Sequence, residues 1–287
     1  MSSAPIARRF TGADGLQLAA DAWGDPAHPP VLLMHGGGQT RHAWGGTART
    51  LAGHGWYALA VDLRGHGDSE WPSDANYELA AFARDLVCVA RALERPPVLV
   101  GASLSGLAAL LAQGEAEAMI FAALVLVDVT PRLDPQGARH ILDFMGAKVE
   151  DGFATLEEAA DTIAAFIPHR RRPKDLSGLA KNLRLHPDGR YRWHWDPRFV
   201  TGGRPPGIYD RVGLLDDCAR ALRIPTLLVR GRMSDLVTPE AAQEFLAMVP
   251  QARFADVSGA GHMVAGDRND LFTAAIADFL DRDLPRS

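Results

Sequence analysis

Pro97-Val98-Leu99-Val100-Gly101-Ala102-Ser103-Leu104-Ser105-Gly106-Leu107-Ala108 is the stretch that decides the fold. An apolar run ends among small residues around a serine, and an Ala- and Leu-rich helical pattern follows at once. That is the strand, tight turn and helix of a nucleophile elbow. Such a turn strains the backbone at its apex, so the residues two before and two after the serine must be small. With Ser103 at the apex they are Gly101 and Ser105, which relaxes the G-x-S-x-G pattern only at its last position. With Ser105 at the apex they would be Ser103 and Leu107, and Leu107 is too large. The register therefore favours Ser103. The same pattern also fits a strand meeting a helix with no chemistry, so partners must be sought elsewhere in the chain.

A chain of 287 residues is long enough for one large α/β domain, or a domain carrying an insertion. Hydrophobic residues make up 47% and charged ones 23%, ordinary values for a soluble protein. A formal net charge of −5 offers no general attraction to nucleic acid or to anionic membrane. Met1 to Phe10 has no apolar core of signal-peptide length, and no apolar run reaches transmembrane length. Cys88 and Cys218 cannot make a disulfide framework, and no Cys/His grouping has zinc-site spacing. These features predict a cytoplasmic protein with reduced thiols, no metal or other cofactor, and a small molecule as its partner.

Working outward from the elbow, apolar runs alternate with helical patterns. Ile6–Thr11 and Leu16–Trp23 flank the turn Gly12-Ala13-Asp14-Gly15 and read as a hairpin. Val31–Met34, Tyr57–Val61, Val98–Ala102 and Ala122–Val127 are continuous apolar strands of the kind buried on both faces. Helical spacing occupies Arg41–Gly53, Tyr77–Leu93 and the stretch after Ser103. From Pro131 to about Asp210 the alternation stops and the composition shifts toward helix, Arg and aromatic residues. Thr155-Leu156-Glu157-Glu158 is a capping box there. Strand Thr226–Arg230, a helix capped by Thr238 with Pro239 behind it, strand Ala252–Val257 and helix Asn269–Leu280 then resume the alternation. Such an order predicts a mostly parallel sheet covered on both faces, with ligands beyond the carboxyl ends of its strands.

A serine hydroxyl needs an adjacent base, itself oriented by an acid. His262, in the Gly-containing loop after the last strand, is the candidate base. Asp235, after strand Thr226–Arg230 and before the Thr238 helix, is the candidate acid by order and loop position. Asp128, which ends the strand after the elbow helix, is its rival from the neighbouring strand end. Asp256 lies inside a strand and Asp267 follows His262 too closely, so both rank lower. The backbone N–H of Leu104 and that of Gly37 in His35-Gly36-Gly37-Gly38 are the candidate oxyanion donors, with Gly38 the second choice for the latter. The glycines match neither the dinucleotide G-x-G-x-x-G fingerprint nor a phosphate loop.

Together these pieces resemble the α/β-hydrolase superfamily, in its capped serine-nucleophile branch of esterases, cofactor-free haloperoxidase-type enzymes and epoxide-hydrolase-like proteins. The matching segments are His35-Gly36-Gly37, Asp62-Leu63-Arg64-Gly65-His66-Gly67-Asp68-Ser69, Val100 to Gly106, Gly231 to Asp235, and Gly259-Ala260-Gly261-His262-Met263. The resemblance implies an α/β-hydrolase fold, with a core domain of residues 1–130 and 211–287 and a helical cap, 131–210, inserted over the site. It also implies that Arg64–Ser69 is a structural turn, so His66 and Ser69 are not catalytic candidates. Two departures stand out. Epoxide hydrolases and haloalkane dehalogenases of this fold use an aspartate nucleophile, where this chain has Ser103. Asp235 lies one residue further from Gly231 than is commonest in the family.

Ser103, Asp235 and His262 lead to the expectation of a serine hydrolase acting on a small to medium, largely apolar carboxylic ester, thioester or lactone. Carbon–carbon bond hydrolysis or perhydrolysis by the same triad is the alternative. A non-catalytic ligand receptor on this fold is the alternative from another class. In the insertion, Trp193 and Trp195 alternate on an extended segment and are candidate substrate contacts. Arg170-Arg171-Arg172-Pro173-Lys174 reads as a solvated surface, and His169 and His194 have no partner visible in the sequence.

Overall fold

The computed structural model describes residues 4–166, 175–202, 213–262 and 269–284. Two strands open the chain, β1 (Ile6–Thr11) and β2 (Gln17–Trp23), paired as an antiparallel hairpin with Phe10 opposite Leu18. Then come β3 (Pro30–Met34), α1 (Gly45–Gly53), β4 (Tyr57–Val61), α2 (Leu79–Arg91), β5 (Val98–Ala102), α3 (Leu104–Gly114) and β6 (Ala123–Val127). The insertion carries α4 (Pro135–Gly146), α5 (Leu156–Phe166), α6 (Ser177–Ala180), β7 (Leu183–Leu185), β8 (Tyr191–Trp193) and α7 (Arg198–Thr201). The chain continues through α8 (Leu214–Ala221), β9 (Thr226–Gly231), α9 (Pro239–Met248), β10 (Arg253–Val257) and α10 (Thr273–Asp283).

Among the described residues the main sheet has eight strands in the order β1-β2-β4-β3-β5-β6-β9-β10. All neighbouring pairs from β4 to β10 are parallel, whereas β2 is antiparallel to β1 and to β4. Successive side chains of a strand point to opposite faces. Accordingly Val31 and Leu33 enter the core shared with α1 and α10, while Leu32 and Met34 enter the core shared with α2, α3 and α8. The unbroken apolar runs of β3 to β6 are what two covered faces require. β1 and β10, at the edges, are exposed or half-buried along their length.

The predicted helix at Arg41–Gly53 is in fact a short 3-10 turn, Arg41–Trp44, followed by α1. Asp62 holds that turn by accepting the Arg41 N–H at 2.6 Å. Asn269–Phe272 is likewise 3-10 before α10 begins. Thr238 caps α9 as expected, its Oγ1 accepting the Ala241 N–H at 3.1 Å with Pro239 in the first turn. At α5, Thr155 Oγ1 accepts the Glu158 N–H at 3.1 Å, but Glu158 reaches back to the Ala154 N–H rather than to that of Thr155. The pairing of β7 with β8, Leu183 opposite Trp193, was not predicted.

Parallel register sets the level at which the candidate residues emerge. Ala102 pairs with Val127, and Val127 with Val229, so Ser103 and Asp128 leave adjacent strands side by side. Val257 pairs with Gly231, which brings the loop after β10 beside the loop after β9.

Candidate active site

Ser103 stands between β5 and α3 at φ 48° and ψ −117°. L-residues other than Asn and Asp seldom adopt positive φ, so the turn is strained. Two glycines let strand and helix approach that closely. A Cβ on Gly101 would lie 2.8 Å from the N and Cα of Gly106, and one on Gly106 would lie 2.5 Å from Val129 Cγ1. Ser105 is buried and donates its hydroxyl to the carbonyls of Met34 at 2.9 Å and Ala102 at 3.0 Å. It stitches the turn to β3, while the half-buried Ser103 is the serine at the apex.

The acid expectation is corrected by the structure. His262 Nδ1 donates to Asp128 Oδ2 at 2.8 Å, whereas the Asp235 side chain is exposed to solvent. The reason lies in the turn after β9. Ser234, one residue nearer Gly231, turns inward and donates its hydroxyl to the same Asp128 Oδ2 at 2.7 Å, so its neighbour Asp235 turns outward. Ser234 Oγ also accepts the N–H groups of Leu236 and Val237, each at 3.2 Å. The Gly231 N–H donates to Asp128 Oδ1 at 3.1 Å, and the Asp128 N–H donates to Val229 O at 2.7 Å. Asp128 itself has φ 52°, a conformation aspartate tolerates better than most residues. A carboxylate accepting three donors in a buried site is fixed in position. Donation from Nδ1 to a carboxylate also assigns the His262 tautomer and leaves Nε2 as the other ring nitrogen.

Ser103, Asp128 and His262 line one small cavity of about 10 Å³, together with Gly36, Gln39 and Asn269. Gln39 and Asn269 are buried and exchange side-chain amide hydrogen bonds at 3.2 and 3.3 Å. Gln39 Oε1 also accepts the Gly36 N–H at 3.1 Å, which ties the glycine loop to the segment after His262. The Gly38 N–H donates to His66 Nε2 at 3.1 Å, which removes the second choice of oxyanion donor. Gly37 makes no backbone N–H hydrogen bond among the described residues. Leu104 is the first residue of α3, where helical N–H groups lack an intrahelical acceptor. Burial keeps the neighbouring imidazoles neutral, lowering His35 to about 4 and His66 to about 3. The reading of Arg64–Ser69 as a turn missed that His66 is bonded to the glycine loop.

Aromatic side chains of the insertion pack on the same loop. A Cβ on Gly38 would lie 3.0 Å from Met145 Cε and 3.4 Å from the Trp195 ring, and one on Gly37 would lie 3.4 Å from Phe199. Trp193 stacks behind Trp195 with centroids 4.7 Å apart and planes at 10°. Trp195 therefore lies against the loop and Trp193 one layer further out, both buried. His194, unassigned by the sequence, accepts the Gly67 N–H at Nδ1, 2.7 Å away. The Arg170–Lys174 run, His169, Met263 and Asp267 lie outside the described residues. Among the described residues no group of three His, Cys, Asp or Glu is placed to hold a metal, and no helix is long and apolar enough to cross a membrane.

The alpha/beta hydrolase family profile matches residues 31–275. The chain belongs to the alpha/beta hydrolase family. It is 33% identical over 270 residues to the esterase Rv0045c of Mycobacterium tuberculosis, covering 92% of this chain and 86% of that protein. It is 28% identical over 257 residues to a 3-hydroxybutyrate-oligomer hydrolase of Cupriavidus necator, covering 86% and 87%. A crystal structure of an alpha/beta hydrolase from Novosphingobium aromaticivorans superposes with a TM-score of 0.81 at 27% identity, covering 98% of this chain and 100% of that one. Membership and these relatives make the protein a hydrolase. The core of this alpha/beta hydrolase is the mostly parallel sheet described above, and Ser103, Asp128 and His262 emerge at its carboxyl edge.

Proposed function

We propose that the protein is a serine hydrolase that cleaves a small to medium, largely apolar carboxylic ester through an acyl-enzyme, with Ser103, His262 and Asp128 as its triad. The observation that carries this reading is the Asp128–His262 pair in one cavity with a serine held at φ 48°. Residues 131–210 act as a cap, with Trp195, Met145 and Phe199 as its apolar wall beside the glycine loop. That wall, and relatives named as an esterase and an oligomer hydrolase, support an ester with an apolar acyl group.

In this mechanism His262 Nε2 takes the hydroxyl proton as Ser103 Oγ bonds to the substrate carbonyl carbon. The carbonyl oxygen becomes an oxyanion and accepts from the N–H groups of Leu104 and Gly37. Asp128 holds the ring through Nδ1 and stabilises the imidazolium. Collapse of the tetrahedral intermediate breaks the ester C–O bond, and His262 gives its proton to the departing alkoxide. A water deprotonated by His262 then attacks the acyl carbon, and the carboxylic acid leaves with Ser103 regenerated.

A panel of p-nitrophenyl esters with short to medium acyl chains tests the reading, alongside labelling by a fluorophosphonate. The wild type is expected to turn over the esters and to be labelled, and Ser103→Ala is expected to lose both. A wild type with neither ester turnover nor labelling would overturn the proposal.

A further inference from the structure

The glycine loop has three consecutive backbone N–H groups, and its surroundings dispose of two. That of Gly36 donates to Gln39 Oε1 at 3.1 Å and that of Gly38 to His66 Nε2 at 3.1 Å. His66 can accept there because its Nδ1–H donates to the Arg64 carbonyl at 2.9 Å, which leaves a lone pair on Nε2. The Gly38 carbonyl meets a second imidazole, His194 Nε2, at 3.4 Å. His194 Nδ1 accepts the Gly67 N–H at 2.7 Å, so its proton is on Nε2 and points to Gly38. The two rings thus hold opposite tautomers, each fixed by its other nitrogen, and their centroids are 5.8 Å apart. Both are buried, with relative exposures of 0% and 2%. Gly38 has φ 76°, a conformation that favours glycine, and its N–H and its carbonyl each meet one ring of this pair. His66 belongs to the loop after β4, whereas His194 directly follows β8 in the insertion.

We propose that His66 and His194 are positioning residues for the oxyanion hole. They grip Gly38 from its two sides, take its N–H out of use, and leave that of Gly37 as the loop's donor to the substrate. Since His194 is carried by the insertion, the oxyanion hole is complete only when the cap is seated on the core. This rests on the serine-hydrolase reading above. Neither ring transfers a proton in the reaction. Burial, reinforced by neighbouring imidazoles, keeps both neutral at ordinary pH, His66 at about 3 and His194 well below its usual value.

The test uses the full chain and paired amide variants, because Gln places its amide near the imidazole Nε2 position and Asn near Nδ1. His66→Gln keeps an acceptor for Gly38, whereas His66→Asn keeps only the contact to Arg64. His194→Gln keeps a donor for the Gly38 carbonyl, whereas His194→Asn keeps only the contact to Gly67. Losing one oxyanion donor costs about 10²–10³ in kcat, and displacing one should cost part of that. Each Asn variant is expected to lower kcat on p-nitrophenyl butyrate by about 10- to 100-fold with KM within about twofold. Each Gln variant is expected to retain kcat within about fivefold. A role in folding alone would make activity follow the melting temperature and not the side chain's reach. Equal kcat for the Asn and Gln variants at either position, or a loss confined to KM, would overturn the proposal. Nitrogen-15 NMR of histidine-labelled wild type provides a measurement that needs no variant. The expected signals are neutral His66 with Nδ1–H and neutral His194 with Nε2–H, and the reverse tautomer at either would also overturn it. An inactive, unlabelled wild type would instead defeat the serine-hydrolase reading.

Discussion

A one-residue offset decides which aspartate orients His262. Gly231 packs against the Ala260 carbonyl, where a Cβ would lie 2.7 Å away, and the turn that follows points Ser234 inward and Asp235 outward. Asp128 then serves from the end of β6, with Ser234 as one of its donors. On the proposed triad, Asp128→Asn should lower kcat by about 10⁴, because the amide can no longer hold His262 in the right tautomer. Asp235→Asn should stay within about twofold of wild type, and ester kinetics on both variants check the pair. The two serines of the elbow divide in the same way. Ser105→Ala forfeits hydroxyl bonds to Met34 and Ala102 and should cost about 1–2 kcal/mol in denaturant unfolding, with kcat within about threefold. The places of Ser103 and His262 at the carboxyl edge of the sheet were legible because the elbow imposes a local steric rule and the last loop follows its strand directly. The choice between Asp128 and Asp235 was not, since both end neighbouring strands and only a contact between distant segments separates them.

Among the elements, the strands and core helices were legible from period and length, whereas in the insertion only the capping box before α5 and the extended segment at Trp193 stood out from a change of composition. Its order comes from contacts remote in sequence. The segment from Trp193 to Phe199 is bound to the loop after β4 through Asp196, whose N–H donates to Gly65 O at 2.9 Å. The Asp196 carboxylate accepts the Tyr77 hydroxyl at 2.7 Å and the Arg198 guanidinium at 2.7 Å. Burial alone would raise this carboxyl, but Arg198 and Tyr77 outweigh it and hold the group below the usual carboxylate range. No periodicity could have announced that a tyrosine two residues before α2 reaches across to a segment beyond β8. Tyr77→Phe removes one hydrogen bond to a buried charge and should cost about 2 kcal/mol. The expected result is a lower urea midpoint with an unchanged denaturant slope, and a midpoint equal to wild type would show that Tyr77 does not anchor the segment.

At the scale of the whole molecule, the carboxyl edge of the sheet encloses imidazoles that folding keeps uncharged. His35 donates through Nδ1 to Gly36 O at 2.7 Å and accepts the Leu63 N–H at Nε2, 3.0 Å away, so its neutral form is built into the structure. Burial is the main cause of its lowering from the ordinary 6.5 to about 4, and of the lowering of His66 to about 3. The sign follows from linkage. A base whose folded value lies below its unfolded value binds fewer protons in the native state, so stability falls as pH drops below about 6.5. At pH 5 the unfolded chain has gained a proton on each of these two rings and the folded chain almost none, which costs about 2 kcal/mol for each ring, and the buried His194 adds to the loss in the same direction. Carboxylates titrate mostly below this window, so the slope between pH 7 and pH 5 reports chiefly on the histidines. Urea unfolding of the wild type across that range should show the loss, and His66→Gln, which lacks one of these buried rings, should lose about 2 kcal/mol less. A profile that stays flat down to pH 5 would mean that these rings do not stay neutral in the folded chain.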